Sequence, residues 1–584
     1  NADMFYSSPI FNSTVVSSTS EELLSLKSNL LEFIDSSLNG GESVAIPPLQ
    51  LKITSILYDE SEAELQSADI FQTFGDLVQS LLQLIGEKFK SDISSNLFKL
   101  LSDVLTLLPI KEFVSSISNL LSDSQLDVVV RQNLTLLSLE KFEAESSERE
   151  EAQVAANNLI EVLFTNIKSN EDLAQASLDA LASLIQKFGS QVDDELLTKS
   201  LHLSTSDAGL LSSNGEAIVS SLTVITNIVS VLGIKTISFF PKIIPPSLKI
   251  FNESFQIEDE EAKGTLQLSV LLLLSSYVKR IPAFVTTNLQ DILRCIFKAD
   301  EVSEKIRGSI VQVIVQNMDH TALLKVLASI WDETSKLNAT SIGIYLNTLE
   351  STVEVIEKKT ATSQAPKFFN LLLRLFEFRS ESDFDNNAIH RIEAFFHDIA
   401  NKYVMKLNDK TFRPLFALLV RWAFDGEGVT NADITEVERL TSFFRFFNKL
   451  QENLRSIVTS YFTYFFEPTI GILKRYISAE LDDVNLRRIV LNALTSSFKY
   501  DQDEYWQAQA RFEVVSESLL AQLQNVEDSI GKYLVKSIAA LAQNASSDEH
   551  NKALNQLFIS HMKSECKPKE KLWATRSLKS VYQK

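Results

Sequence analysis

The sequence predicts an all-α protein, an α-solenoid built from HEAT-like helical repeats. Apolar residues recur every three or four positions along most of the 584-residue chain, which is the period of amphipathic helices. Only 15 Gly and 12 Pro occur, too few for the many turns of an all-β protein of this length. Polar breaks recur about every 40 residues, the spacing of HEAT and armadillo helix pairs. Because one pair cannot bury its apolar face alone, the pairs must stack.

Four segments show the pattern of the second helix of a HEAT pair. In that pattern an Asp caps the amino terminus, an Arg follows within the first turns and can bond to a neighbouring repeat, and small residues let adjacent helices approach. The first segment has Arg131, the second lacks the Arg, and the third has Arg487 and Arg488. An earlier amphipathic helix is expected over Glu21–Leu38. The four segments begin at Asp127, Asp172, Asp482 and Lys569.

The charge is strongly acidic overall but uneven. The net charge of −21 makes the chain as a whole a poor partner for a phosphate backbone. Between Lys563 and Lys584, however, seven Lys or Arg stand against two Glu. Two interpretations stay open, a solvated helix face or a local contact with nucleic acid or an acidic partner. The residues that would make this contact are Lys563, Lys567, Lys569, Lys571, Arg576 and Lys579.

Two features bear on compartment and membranes. The only cysteines, Cys295 and Cys566, cannot staple a chain this long, which indicates a reducing compartment. The longest uncharged run lies between Glu216 and Lys235 and carries six Ser, Thr or Asn side chains. A membrane span would be more uniformly apolar, so we expect a buried helix and no membrane partner.

The sequence gives no candidate catalytic, metal or cofactor site. It contains no phosphate-binding loop of the GxxxxGK type and no GxSxG elbow. His390, Glu393 and His397 fall near one helical face, but no cysteine or fourth ligand lies close in sequence, and a solvated face is the simpler interpretation. Cys295 has no neighbouring His or Asp that would activate it. We therefore expect a protein that is not an enzyme and takes no small-molecule substrate.

Aromatic residues are concentrated between Phe443 and Phe466, where nine rings occur. Their helical spacing predicts mostly core and inter-helix packing. Two alternatives stay open, a platform for stacking RNA bases and an exposed apolar groove for a partner helix.

The stretch "NDKTFRPLFALLVRWAF", Asn408 to Phe424, reads as one helix with an unusual choice of residues. Thr411 is the expected N-cap, with Phe412, Arg413 and Pro414 in the first turn. An apolar face buries most of the remaining signature residues, and only Arg413 is expected to be free to reach a partner. That face consists of Phe412, Leu415, Phe416, Leu419 and Trp422.

This stretch and the Phe-rich helix after it resemble the C-terminal portion of the large HEAT-repeat protein associated with small nucleolar RNA in the small-subunit processome. The resemblance covers about Ala365 to Tyr505. The helical pattern and the resemblance together predict a HEAT-repeat array over residues 1–364, a family-signature region over 365–515 and terminal repeats over 516–584 that are cut short at the end. The matching positions are Thr411, Phe412, Arg413, Pro414, Leu415, Phe416 and Trp422.

The resemblance implies a non-catalytic scaffold in the nucleus and nucleolus. Its expected roles are pre-rRNA processing toward 18S rRNA and ribosomal DNA transcription, without a cofactor. Its expected partners are processome proteins including β-propeller subunits, the external spacer of the pre-rRNA, and the small nucleolar ribonucleoprotein, contacted directly or indirectly. The alternatives are a nuclear transport receptor of the importin-β type and a generic HEAT interaction scaffold, because both are also acidic solenoids.

Overall fold

The computed structural model describes residues 28, 32, 98, 99, 101–103, 105, 106, 108–545 and 547–583. The helix expected over Glu21–Leu38 therefore lies almost entirely outside the described residues. Within them every regular element is a helix, which confirms the all-α class. The chain divides into two compact units, Asn1–Val285 and Thr286–Lys584, and the described residues of each form a stack of helix pairs.

The first unit is built from four helix pairs within its described residues. The second helices of successive pairs pack on one another, as do the first helices of the first three pairs, which is the arrangement of a HEAT-like solenoid. The helices are α1 (Ile110–Leu121), α2 (Val128–Glu143), α3 (Glu150–Ser169), α4 (Glu171–Phe188), α5 (Asp194–Ser204), α6 (Gly215–Leu232), α7 (Phe240–Glu253) and α8 (Glu260–Arg280).

The second unit contains seven helix pairs of the same kind. The helices are α9 (Leu289–Lys298), α10 (Glu304–Asn317), α11 (His320–Thr334), α12 (Ala339–Val355), α13 (Lys358–Phe376), α14 (Phe378–Glu381), α15 (Asn386–Val404), α16 (Asp409–Asp425), α17 (Glu436–Leu454), α18 (Phe466–Ile477), α19 (Val484–Tyr500), α20 (Gln509–Ala521), α21 (Asp528–Asn544), α22 (Asp548–Ser560) and α23 (Pro568–Tyr582). The second helices of successive pairs pack on one another in one continuous layer, which we call the inner stack. It consists of α10, α12, α15, α17, α19, α21 and α23.

The uncharged run of the sequence belongs to the core of the first unit. The stretch Gly215–Gln256 has the length and apolar character of a membrane span. In the structure its first helix, α6, packs between α4 and α8, and most of its apolar side chains are buried, among them Leu222, Ile225 and Ile228. The Asn227 amide also donates to the Ala182 carbonyl at 3.0 Å. The helix is therefore a core element of the stack, as the sequence predicted.

Buried arginines hold several pairs together. Asp127 caps α2, whereas α19 is capped by Asp483, one residue later than the Asp that begins the predicted pattern. Arg487 is 3% exposed and reaches the next pair, where its guanidinium donates to Gln522 Oε1 at 2.9 Å. Arg307 is a further buried arginine that the sequence pattern missed, and it donates to the Ile296 and Phe297 carbonyls. These bonds satisfy carbonyls that would otherwise be buried without partners.

A glycine sets the approach of the last two inner helices. Gly531 of α21 lies against the indole of Trp573 in α23, where an added Cβ would overlap the ring. We therefore expect Gly531→Ala to push α23 away and to cost about 1–3 kcal/mol of stability. Gly471→Ala is the matched control, since nothing lies within 4 Å of its added Cβ and helix propensity should make it neutral or stabilising. Hydrogen exchange across α23 in both variants measures the difference; equal protection would contradict the expectation.

Candidate functional site

The signature stretch forms the helix α16, but its beginning differs from the prediction. The N-cap is Asn408, whose side chain accepts from the Thr411 backbone N–H at 2.8 Å, so the expectation that Thr411 caps the helix is wrong. The helix therefore starts three residues earlier, and Pro414 lies inside it rather than in its first turn. Gly426 ends it in the left-handed conformation at φ 73°, which glycine adopts without strain.

The predicted apolar face is buried in an aromatic core. Phe412, Phe416, Leu419 and Trp422 are at most 3% exposed, and Leu415 is half-buried. Several of the later aromatic residues contact Phe416 of α16, among them Phe443, Phe447 and Phe465. Six of them are completely buried, so the interpretations as a base-stacking platform or an exposed groove are wrong for these rings. The six are Phe443, Phe444, Phe446, Phe447, Phe462 and Phe465.

A buried carboxylate that the sequence did not single out fixes the end of α16. Glu377 is 1% exposed and accepts a hydrogen bond from Trp422 Nε1 at 3.0 Å. It also accepts from the backbone N–H groups of Thr430 and Asn431, each at 3.1 Å, and from the Thr430 hydroxyl. Trp422 thus connects the signature helix to the preceding pair, and the turn after Gly426 is held by the same carboxylate.

Arg413 is not free, in contrast to the prediction. Its guanidinium donates to Asp409 Oδ2 at 2.7 Å and to Ser460 Oγ at 3.3 Å, and it lies over the Tyr461 ring at 4.5 Å. The Tyr461 hydroxyl donates to the other oxygen of Asp409 at 2.6 Å. These two hydrogen bonds lower the pKa of the Asp409 carboxyl below its usual value. The arginine therefore joins α16 to the segment between α17 and α18.

The basic residues near the end of the chain surround α23. Lys567 is its N-cap residue, and Lys571 donates to the Ser564 carbonyl at 3.0 Å. The other side chains are exposed, and three of them lie within one strip of the helix surface because they are separated by seven and three positions. This strip consists of Lys569, Arg576 and Lys579.

The weak metal and nucleophile candidates do not assemble into sites. His390 is exposed, whereas Glu393 is paired with Arg379 at 2.6 Å. His397 is buried against Phe376, and burial lowers its pKa to about 3. Burial likewise raises the pKa of the Cys295 thiol to about 12. Among the residues that the structure describes, no group of three or more metal-binding side chains converges.

Comparison with known proteins identifies the region around α16. The BP28CT (NUC211) domain family matches residues 360–506. U3 small nucleolar RNA-associated protein 10 of Saccharomyces cerevisiae is 45% identical over 608 aligned residues, which include 98% of this chain. The corresponding protein of Candida albicans is 42% identical and matches 99% of this chain. The chain spans about a third of the length of these relatives, 34% and 33% respectively.

A solved helical protein is similar at the level of the whole chain. The structure of Kap121p bound to Ste12p matches all of this chain and 56% of its own, at 11% identity and a TM-score of 0.44. A likeness this weak carries no functional argument.

Proposed function

The chain belongs, over the third of the length that it spans, to the family of U3 small nucleolar RNA-associated protein 10, and on this premise we propose that it is a non-catalytic scaffold of the small-subunit processome. The observation that carries the proposal is the homology over 98% of the chain. The proposed roles are pre-rRNA processing toward 18S rRNA and support of ribosomal DNA transcription. The proposed location is the nucleolus.

The mechanism we propose is docking at several points. Stacked helix pairs expose a long face on which partners can be held in fixed relative positions. Each contact can be modest, because binding at one point raises the effective concentration at the next. The partners proposed are β-propeller subunits of the processome, the external spacer of the pre-rRNA and the small nucleolar ribonucleoprotein. The signature residues Thr411, Leu415 and Trp422 serve this mechanism by shaping the stack, not by touching partners.

The experiment that tests the scaffold role is purification of the tagged intact protein from cells after brief UV crosslinking. Identification of the recovered proteins and RNA should give processome subunits together with pre-rRNA spacer. Recovery of Ran and nucleoporins without pre-rRNA would replace the proposal with the transport-receptor alternative.

Charge reversal near the amino end of α23 should weaken assembly. The variant Lys567→Glu, Lys569→Glu, Lys571→Glu lowers the charge of this surface by six units. Lys567 and Lys569 are exposed and Lys571 is half-buried. We expect several-fold lower co-purification of partners with an unchanged helical content, since surface substitutions seldom unfold a protein. A variant with Lys325→Glu, Lys367→Glu and Lys552→Glu, on first helices, is the control. Equal recovery of every partner by both variants would remove the basic residues from the docking mechanism.

A further inference from the structure

Positive charge is concentrated on the last three helices of the inner stack. Together α19, α21 and α23 carry nine Lys or Arg against two acidic residues, a local charge of +7 in a chain of −21. The first helices of the same three pairs, α18, α20 and α22, carry four Lys or Arg against five acidic residues. The charge is therefore segregated to one layer of the repeats, over a part of the sequence much longer than the basic segment at its end.

Most of these cations lie on the face of the inner stack that no other described helix covers. Helix α21 packs between α19 and α23, and both α19 and α21 pack on the first helix of their own pair, so one strip of each remains exposed. Arg487 and Lys571 are the exceptions, since Arg487 points into the core and Lys571 donates to the Ser564 carbonyl. We call the remaining set the cationic band. It consists of Arg488, Lys499, Lys532, Lys536, Lys569, Arg576 and Lys579.

Side-chain contacts join the strips of neighbouring helices. The Arg488 guanidinium of α19 lies 5.8 Å from the ring centre of Tyr533 in α21, and the ammonium of Lys532 lies 5.4 Å from the same ring. Arg576 of α23 lies over the Trp573 ring at 4.6 Å. A half-exposed tyrosine thus sits between cations that come from two helices. Such a ring is accessible for stacking while its surroundings attract an anion.

Most cations of the band have no acidic side chain paired with them. In the part of the chain that the structure describes, its only ion pair joins Lys569 to Asp528 at 3.8 Å, with both side chains more than half exposed. Arg488 donates to the neutral amide oxygen of Asn485 at 2.7 Å. Unneutralised like charges on adjacent helices repel one another, and a bound polyanion would offset that repulsion.

We propose that the cationic band binds the phosphate backbone of RNA, independently of sequence. The inference rests on the proposed function, and it names the surface and the chemistry of the contact. Inner helices lie ~8–10 Å apart, so the three strips span roughly 20 Å, a width that suits an extended polyanion better than a single charged group. RNA is favoured over an acidic protein segment because Tyr533 offers a stacking surface between the cations, which bases use and carboxylates do not.

The test is RNA binding by a variant that reverses four charges of the band. It carries Arg488→Glu, Lys532→Glu, Lys536→Glu and Lys579→Glu. The control carries Lys325→Glu, Lys367→Glu, Lys474→Glu and Lys552→Glu, so that the net charge falls equally while only exposed positions on first helices change. Fluorescence anisotropy with a labelled 20-nucleotide single-stranded RNA is measured over a range of salt concentrations.

We expect at least tenfold weaker binding for the band variant and less than twofold weaker binding for the control. The slope of log K against log salt should fall by about 3 in magnitude, because each phosphate contact on a single strand contributes ~0.7. Circular dichroism of both variants establishes that they are folded. Equal losses in the two variants would overturn the proposal by showing only a long-range effect of net charge.

Two further outcomes separate this inference from the function on which it rests. Preferential binding of poly-glutamate over the RNA would overturn it and assign the band to an acidic protein segment. If the unaltered protein binds the RNA through the band but recovers no processome subunits from cells, the scaffold proposal fails and the RNA contact stands. If it recovers the subunits but binds RNA equally well with the band reversed, the scaffold stands and the RNA contact fails.

Discussion

Glu377→Ala is expected to destabilise the Thr286–Lys584 unit by about 3–5 kcal/mol. The carboxylate is 1% exposed and accepts from the Trp422 indole, from two backbone N–H groups and from the Thr430 hydroxyl. Alanine would leave these donors buried without an acceptor, and each orphaned donor costs ~1–3 kcal/mol before relaxation. Removing one partner of a buried charged network costs ~3–5 kcal/mol in general.

Urea unfolding followed by tryptophan fluorescence measures the effect. All four tryptophans, at positions 331, 422, 506 and 573, lie in this unit, so the signal reports on its unfolding alone. The control is Glu427→Ala, whose side chain is 62% exposed and pairs only with Arg421 at the surface. It should change stability by less than ~0.5 kcal/mol. A Glu377→Ala protein as stable as the control would mean that the buried network is not a stabilising one.

Glu377→Gln separates the charge from the shape of this site. The glutamine amide keeps one acceptor oxygen. Its NH₂ group replaces the other carboxylate oxygen and would face the donors that this oxygen now accepts from. We therefore expect a smaller loss than for alanine, about 1–3 kcal/mol. A larger loss for glutamine would indicate that donor–donor repulsion exceeds the cost of an empty site.

The fold class could be predicted because it depends on features that are local in sequence. The three-to-four residue apolar period, the scarcity of Gly and Pro and the spacing of breaks each act within one helix pair. The start of α16 could not be predicted, because Asn408, Asp409 and Thr411 lie within four positions and all three are good capping residues. Which of them is the N-cap depends on the position and direction of the backbone where the preceding helix ends.

The contacts that tie pairs together were beyond the sequence for a different reason. Glu377 and Trp422 are 45 positions apart, and nothing near Glu377 marks it as buried. Arg413 looked free because its partner Ser460 lies 47 positions later. Likewise the basic segment after Lys563 was visible as a run, whereas the cationic band is assembled from residues up to 91 positions apart, between Arg488 and Lys579. Only stacking brings such residues to one surface.

The neighbouring arginines of α19, Arg487 and Arg488, show this limit most clearly. Both fit the arginine position of the HEAT pattern, so the sequence offers no reason to separate them. Burial lowers the pKa of Arg487, which lies over Tyr476 at 5.3 Å and donates to Gln522 and to the Asn525 carbonyl at 2.6 Å. Arg488 is instead half-buried at the surface beside Tyr533.

Arg487→Met should therefore lower the stability of the second unit by about 3 kcal/mol, because the methionine fills the space but leaves the buried oxygens of Gln522 and Asn525 without their donor. Arg488→Met should change stability by less than ~0.5 kcal/mol while weakening RNA binding, since its contacts are at the surface. Urea unfolding and RNA anisotropy on both variants give four values. Loss of stability in Arg487→Met and loss of RNA binding in Arg488→Met follow only if the first side chain points into the core and the second lies at the surface. If both variants lose stability and both bind RNA as tightly as the unaltered protein, Arg488 belongs to the core. That result would contradict its place in the cationic band.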